Sequence, residues 1–292
     1  CRGATAVPAH KPARNPQAGP FAARVFTARP TSPELTLDSA SFRVLLLRRL
    51  RLPLPLVAAF CRCRRAADAL GDHLAACPRS GLLRSRSGPL ERAAARACRE
   101  AGATVVSHAL LRDLNLHPDR HDDRRIEVIA NGLPLWGGAQ LAVDTTLVSA
   151  LDSAGEPRRY QRRTQGAALR QARRAKERTY PELLRSPRCR LVVLAVEVAG
   201  RWSPEAAQFV RLLARCRSRA APPALRASSV AAFTARWSAL LSFAAARAFT
   251  ASLRAMPVSN ACNVDGLGPD LSEVLSDTRF EEGPPGASRM PR

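Results

Sequence analysis

Two apolar runs constrain the fold of this chain more than any other feature. The segment RLVVLAVEVAG (190–200) is almost wholly apolar, which is typical of a central strand buried on both faces of a sheet. The segment AQLAVDTTLVSAL (139–151) is a second strand candidate, and it carries one acid, Asp144. RRIEVIA (124–130) precedes it, with the turn-forming NGLPLWGG between the two. We therefore expect the latter two segments to be antiparallel neighbours in one sheet.

Helical patterns alternate with these strands. GPLERAAARACREAGA (88–103) has a proline near its start and Gly102 just past its end, and TVVSHALL follows as a strand candidate. A further helix is predicted over about 165–184, and the next begins with Ser203 as N-cap. The order is helix, strand, strand, strand, helix, strand, helix. This order predicts an α/β domain with a mixed sheet flanked by helices.

Composition divides the rest of the chain into segments. Residues 1–38 read as a disordered or remnant linker, 39–60 as a helical segment, 61–80 as a compact Cys/His segment and 81–216 as the α/β domain. Residues 217–256 read as a C-terminal helical extension and 257–292 as a flexible tail. No targeting signal is evident, and no apolar run reaches the roughly 18 residues of a membrane helix, so we expect no membrane partner. Because the chain begins at Cys1, we expect it to be the C-terminal part of a longer reading frame.

The charge balance favours a polyanionic partner. The chain has 46 Lys+Arg against 24 Asp+Glu, a formal charge of +22, and each phosphate that is neutralised releases counterions. General over-use of arginine is the alternative explanation. The only lysines are Lys11 and Lys176. An aromatic content of 5% favours phosphate contacts over base stacking.

Four ligand-type residues lie close together in the Cys/His segment. Cys61, Cys63, His73 and Cys77 form the pattern C-x-C-x9-H-x3-C. Thiolates with an imidazole are a common tetrahedral donor set, so the pattern predicts a structural zinc site. Asp72 is a candidate for orienting the imidazole. Chance clustering of small buried thiols is the alternative.

Two carboxylates and one lysine form a second candidate group. Asp144 and Glu127 each lie in an apolar strand, where a bare charge is costly, and two buried carboxylates repel unless they share a proton or a cation. Mg²⁺ suits such a pair, and Lys176, with Tyr180 one turn later, lies on the next helix. The alternative is that Glu127 pairs with an arginine and Asp144 accepts backbone N–H groups. Asp123, beside Asp122 at the strand start, is a reserve candidate.

From CRCRRAADALGDHLAAC through RLVVLAVEVAG, the chain resembles the region downstream of the reverse transcriptase in LINE-type retrotransposons. There a knuckle ending in G-D-H-x3-C precedes a restriction-endonuclease-like domain of the PD-(D/E)xK superfamily. RRIEV places Glu127 where R-P-A-D-V has its acid, VDTTLV places Asp144 where D-V-T-V-V has its acid, and Lys176 with Tyr180 matches K-x3-Y. The chain departs from the pattern in having Ile-Glu for Pro-Asp, and Thr146 where the D-x-K lysine stands. Both departures bear on activity more than on fold.

The resemblance implies a restriction-endonuclease-like mixed sheet flanked by helices and preceded by a small zinc knuckle. It implies a metal-dependent DNA endonuclease that nicks target DNA for reverse-transcription priming, with Mg²⁺ held by Glu127 and Asp144 and with Lys176 orienting water. The knuckle and nearby arginines would bind DNA, and element RNA is a second possible partner; the candidate arginines are Arg124, Arg125, Arg173 and Arg174. It further implies a nuclear location and a reverse transcriptase upstream in the same polyprotein. The alternatives are a nuclease-dead nucleic-acid-binding module from a degenerate retroelement, or a decayed element with no role.

Overall fold

A four-stranded mixed sheet lies at the centre of the protein. The computed structural model describes residues 17–55, 60–81, 83, 86–114, 116, 122–161, 164–254 and 269–279. The strands run in the order β1-β2-β3-β4 across the sheet, where β1 is Thr104–Leu110, β2 Arg125–Asn131, β3 Gln140–Val148 and β4 Cys189–Glu197. The pairs β1–β2 and β2–β3 are antiparallel, and β3–β4 is parallel. The two central strands are therefore β2 and β3. The prediction that the segment 190–200 is a central strand is wrong: β4 lies at the edge of the sheet, and it is apolar because helices bury both of its faces.

Helices surround the sheet. In chain order they are α1 (Arg24–Thr27), α2 (Ser39–Arg49), α3 (Asp72–Ala76), α4 (Ser87–Glu100), α5 (Ala167–Thr179), α6 (Pro181–Arg185), α7 (Pro204–Ser218), α8 (Arg226–Leu253) and α9 (Leu271–Arg279). As the sequence predicts, the side chain of Ser203 caps α7 by accepting a hydrogen bond from the N–H of Ala206 at 3.1 Å. Among the described residues, no helix combines the length and the apolarity that crossing a membrane requires.

The two faces of the sheet are buried against different helices. One face packs on α4 and α7, α8 packs against both of these helices, and the fully buried Trp237 of α8 lies in the same core. The other face packs on α5 and α6, with Leu169, Tyr180 and Leu183 against the sheet. Burial on both faces explains why β3 and β4 read as apolar runs in the sequence.

The predicted class, a mixed α/β sheet flanked by helices, is confirmed. The predicted order of elements is also observed from α4 to α7. One predicted helix is wrong in its extent: the segment 165–184 forms two helices, α5 and α6, that are separated at Tyr180. Pro181 has no N–H to continue α5 and disfavours helical geometry at the preceding residue, which has φ −128° and ψ 60°.

The flanking segments pack on α8 within the described residues. From the predicted linker 1–38, residues 17–38 contain α1, and Leu35 is buried against Ala239 and Phe243 of α8. From the predicted tail 257–292, α9 buries Val274 in the larger core, while 257–268 and 280–292 lie outside the described residues. Because α8 supplies Trp237 to the core of the sheet, residue 216 does not mark a break between two cores.

The Cys/His segment packs between α2 and α8. Val44 of α2, Leu74 of α3 and Phe249 of α8 share one apolar cluster with Cys61 and Cys77. Asp38 caps α2 by accepting a hydrogen bond from the N–H of Ser41 at 2.9 Å. The segment thus sits on the body of the protein and beside the end of β3, where Leu147 joins the same cluster.

Candidate functional site

The carboxylate of Asp144 lies at the centre of the sheet and is 0% exposed. It shares a face of β3 with Ala142, whose side chain packs in the core that α5 covers. The Nζ atom of Lys176, from α5, lies 2.6 Å from Oδ1 of Asp144. Neither carboxylate oxygen accepts a hydrogen bond of regular geometry among the described residues, although the Tyr180 hydroxyl lies close enough to lower the pKa of Asp144. The costly buried charge is therefore compensated mainly by the lysine.

The geometry of α5 brings Lys176 to this point. The helix starts after Gly166, which takes a left-handed conformation (φ 68°), and its buried residues Ala167, Ala168 and Leu169 face the sheet. Lys176 lies in the last turn, and Tyr180 caps the helix. The hydroxyl of Tyr180 donates a hydrogen bond to the carbonyl oxygen of Arg125 on β2 at 3.0 Å, so the end of α5 is fastened to the sheet.

Glu127 lies near Asp144, on the neighbouring strand. The paired register of β2 and β3 ends at Val128 and Val143, and Glu127 and Asp144 are the next residues on the two strands. Oε2 of Glu127 accepts two hydrogen bonds from Thr145, one from its N–H at 2.7 Å and one from its hydroxyl at 2.6 Å. One alternative from the sequence is that Asp144 accepts backbone N–H groups and that Glu127 pairs with an arginine. In the structure it is Glu127 that accepts a backbone N–H, from Thr145.

The two carboxylates affect each other electrostatically. Burial raises the pKa of Glu127, the charge of Asp144 raises it further, and it reaches about 7 despite the hydrogen bonds from Thr145. Burial also raises the pKa of Asp144, and the Lys176 ammonium opposes that rise. Near neutral pH, Glu127 is therefore poised between its protonated and its charged form.

A cleft of about 490 Å³ opens beside these groups. Glu127 and Lys176 line it, together with Arg158 and Gln171. Lys176 is 27% exposed, so its ammonium contacts a fully buried carboxylate and also faces the cleft. Residues of α3 and the start of α4 form the opposite wall, which places the Cys/His segment next to the carboxylates.

Sequence reasoning missed a third carboxylate near this group. Glu91 on α4 is buried, burial raises its pKa, and the charge of Asp144 adds to the rise. Its Oε1 lies 2.8 Å from Nε2 of His108 on β1, a residue in a left-handed conformation (φ 56°). In the sequence Glu91 looks like an ordinary acid in the first turn of a helix, and His108 is a single histidine in a strand pattern. No local signal connects the two.

The Cys/His segment forms a cluster that can hold a metal ion. The ligand atoms of Cys61, Cys63, His73 and Cys77 all lie within 4.8 Å of one another. Sγ of Cys63 is 3.2 Å from Nε2 of His73. The N–H of Arg65 points at the Cys63 thiol and lowers its pKa to about 7, which favours the thiolate that a metal binds. Three sulfurs and one imidazole suit a metal such as zinc.

The imidazole of His73 is oriented by a distant backbone group. Nδ1 of His73 lies 2.7 Å from the carbonyl oxygen of Ser153, in the loop after β3, so a proton on Nδ1 leaves Nε2 free to face the cysteines. The prediction that Asp72 plays this role is wrong. Asp72 instead forms ion pairs with Arg48 and Arg51, each at 3.0 Å, and Asp68 accepts the backbone N–H of His73 at 2.7 Å.

The four arginines predicted to bind nucleic acid fall into two groups. Arg124 pairs with Asp122 and Glu182, and Arg173 pairs with Glu177 and Glu205. Arg125 and Arg174 are exposed, and neither has an acidic partner among the described residues. The reserve acid Asp123 is 86% exposed and lies 3.5 Å from Arg112, so its side chain points to solvent.

Neither a scan of protein-family models nor a search of the curated proteins finds a match for this chain.

Replacing Lys176 should reveal the free-energy cost of burying the Asp144 carboxylate. We expect Lys176→Met to lower the free energy of unfolding by about 3–5 kcal/mol, because it leaves Asp144 charged and unpaired. The double variant Asp144→Asn, Lys176→Met should recover most of that loss. Arg178→Met, at an exposed position of the same helix, is the control and should change stability by less than about 0.5 kcal/mol. Urea unfolding of the wild type and the three variants measures these changes, and equal losses in the single and double variants would contradict the pairing.

The raised pKa of Glu127 predicts a pH-dependent stability. Its folded-state pKa of about 7 lies above the ordinary value of 4.5, so stability from this group is present below pH 4.5 and is lost as the pH rises through 7. Glu127→Gln keeps an oxygen that can accept from Thr145 but carries no charge. We expect the variant to be more stable than the wild type by on the order of 3 kcal/mol at pH 8 and nearly equal to it at pH 4. A pH-independent difference in thermal unfolding would show that Glu127 does not titrate as described.

Proposed function

We propose that this chain is a metal-dependent DNA endonuclease domain that nicks target DNA to prime reverse transcription. One observation carries the proposal: Asp144, fully buried at the sheet centre, lies 2.6 Å from the Lys176 ammonium and close enough to Glu127 for its charge to raise the Glu127 pKa. This group sits in a helix, strand, strand, strand, helix, strand order with one parallel pair. The same order and the same residues carry the resemblance to the restriction-endonuclease-like domains of LINE-type retrotransposons.

The donor set fits a divalent cation such as Mg²⁺. Oδ2 of Asp144 has no hydrogen-bond partner among the described residues, and Thr145 binds only one oxygen of Glu127. Mg²⁺ takes one or two protein carboxylates plus water and phosphate oxygens. When bound, such an ion supplies an activated water and stabilises charge on the phosphodiester. Asp144 and Glu127 would hold it.

The other residues have defined tasks in this proposal. Thr145 fixes the orientation of the Glu127 carboxylate through two hydrogen bonds. Lys176, partly exposed to the cleft, orients the attacking water or stabilises negative charge on the phosphate. Tyr180 keeps the end of α5, and hence Lys176, in register with β2.

The Cys/His cluster and the arginines supply binding. We propose structural zinc at Cys61, Cys63, His73 and Cys77, which would fix the turn that carries the exposed Arg62, Arg64 and Arg65. The chain has a formal charge of +22, and these and the other exposed arginines would bind DNA phosphates. RNA of the element is a second candidate partner. A nuclear location and an upstream reverse transcriptase in the same polyprotein belong to the same proposal.

A nuclease-dead nucleic-acid-binding module is the second candidate. Lys176 already compensates Asp144, and Thr145 already satisfies one oxygen of Glu127, so the two acids are accommodated without an ion. Thr146 also stands where the D-x-K lysine of the superfamily would be. Such a module would have the same fold and the same basic surface but would not cleave DNA.

A nicking assay separates the two candidates. We expect the wild type to nick supercoiled DNA with Mg²⁺, and Asp144→Asn to reduce the rate by about 100-fold or more. Its DNA affinity should stay the same or rise, because a negative charge is removed. Asp123→Asn, which removes an exposed acid, is the matched control and should nick normally. A wild type that binds DNA without nicking it favours the binding module, and an Asp144→Asn variant at wild-type rate contradicts the proposed site.

Metal analysis tests the zinc assignment. Purified protein should contain about one equivalent of zinc, and Cys77→Ser should lose it, because three donors bind zinc far more weakly than four. Cys216→Ser changes a half-buried cysteine outside the cluster and should keep the metal. Equal zinc contents in the two variants would show that the cluster does not bind it.

The salt dependence of the DNA affinity tests whether arginines contact the phosphates. Phosphate-dominated affinity should fall by at least about tenfold between 50 and 200 mM salt. Changing the unpaired Arg125 and Arg174 to Gln should flatten the salt slope by about one unit each. The same change at Arg124 and Arg173, which are held by acids, should have a smaller effect. A salt-independent affinity would show that these arginines do not bind DNA through its phosphates.

A further inference from the structure

A second cavity, of about 600 Å³, lies at the ends of the two parallel strands. Its wall includes Leu147 near the end of β3 and Val196 near the end of β4. Glu127, Asp144 and Lys176 do not line it. The volume falls within the range of small-molecule sites, and the ends of parallel strands are a frequent location for them.

Small side chains on one face of α8 create the space. Ser242, Ala245 and Ala246 are spaced so that they face the cavity together, with Phe249 one turn further on. The opposite wall is aromatic: Phe21 and Trp202 pack edge to face with ring centroids 5.1 Å apart. Protein interiors rarely leave a void of this size between apolar walls. An apolar molecule would fill it.

Two buried polar groups at the cavity lack partners. Nε1 of Trp202 and Oγ of Ser242 have no hydrogen-bond partner among the described residues, although the two residues are only 2% and 6% exposed. Both atoms have almost no accessible surface, so a molecule in the cavity would not reach them, and the walls are in effect apolar at these two residues.

The cavity also has a cationic border. Arg48, Arg49 and Arg51, at the end of α2, line it. Arg48 and Arg51 pair with Asp72, whereas Arg49 stacks on the ring of Phe26 at 5.0 Å and has no acidic partner among the described residues. Glu197 lies on the cavity wall, where a carboxylate would repel an anion. An anionic group is therefore best placed at Arg49.

We propose that this cavity binds a small organic anion with an apolar body and a carboxylate at Arg49. Two matched probes resolve these elements: dodecanoate carries the charge, and 1-dodecanol has the same chain without it. We expect the full chain to bind dodecanoate at least about tenfold more tightly than 1-dodecanol.

Calorimetry on variants tests each contact. Arg49→Met should remove the preference for dodecanoate over 1-dodecanol. Ala246→Trp should fill the cavity and abolish binding, while Ala231→Trp, at an exposed position of α8, should bind normally. If Ala246→Trp does not fold, the Arg49→Met variant still decides the matter.

Three results would overturn the proposal. They are no binding by the wild type, equal affinity for the two probes, and wild-type binding by a folded Ala246→Trp variant. Equal affinities would indicate nonspecific apolar association, and the last result would place the probe on the surface.

Discussion

The burial of one carboxylate at the centre of the sheet is the constraint on which the candidate site depends. Asp144 lies on β3, a strand with neighbours on both sides and helices on both faces, so water cannot compensate its charge. The compensating ammonium comes from α5, the helix that connects the two parallel strands. Lys176 is the only lysine among the described residues, and all but two of the 46 lysines and arginines of the chain are arginines. A compact ammonium on a flexible stem fits a narrow space between helix and sheet better than a planar guanidinium does.

The pairing is held in place by the backbone on both sides. Pro181 ends α5 at the point where Tyr180 reaches the carbonyl oxygen of Arg125, and this contact sets the end of the helix against β2. Glu127 sits on that same strand and is fixed by Thr145 of β3. Together, α5, β2 and β3 therefore hold two carboxylates and one ammonium group in a single arrangement. Such preorganisation is what a phosphodiester-cleaving site requires.

The Cys/His cluster is joined to the same cleft through the loop after β3. The carbonyl oxygen of Ser153 contacts His73, and Arg158 of that loop lines the cleft and donates to the carbonyl oxygen of Ser149. On the other side, the buried Arg86 donates to the carbonyl oxygens of Leu74 and Ala75 and to the hydroxyl of Ser252. A metal at the cluster would therefore stabilise one wall of the cleft as well as its own turn.

Local sequence patterns predict the groups that lie on regular elements. Strand parity and the intervening turn bring Glu127 and Asp144 close together, and the spacing of Lys176 and Tyr180 directs both to the sheet. Contacts that join distant segments leave no such pattern. The acceptor for His73 lies 80 residues away, and the meeting of Glu91 with His108 depends on how α4 packs against β1. The packing of residues 17–38 on α8 was missed for the same reason, because their composition alone indicates disorder.

A manganese-soaked crystal structure tests the central claim most directly, because Mn²⁺ accepts the same oxygen ligands as Mg²⁺ and can be located by anomalous scattering. We expect one anomalous peak between the carboxylates of Glu127 and Asp144, bound to Oδ2 of Asp144, with the Lys176 ammonium still facing the cleft. An empty position there, with Glu127 still bound to Thr145 and with manganese found only elsewhere, would contradict the claim that these residues form a metal-dependent nuclease site.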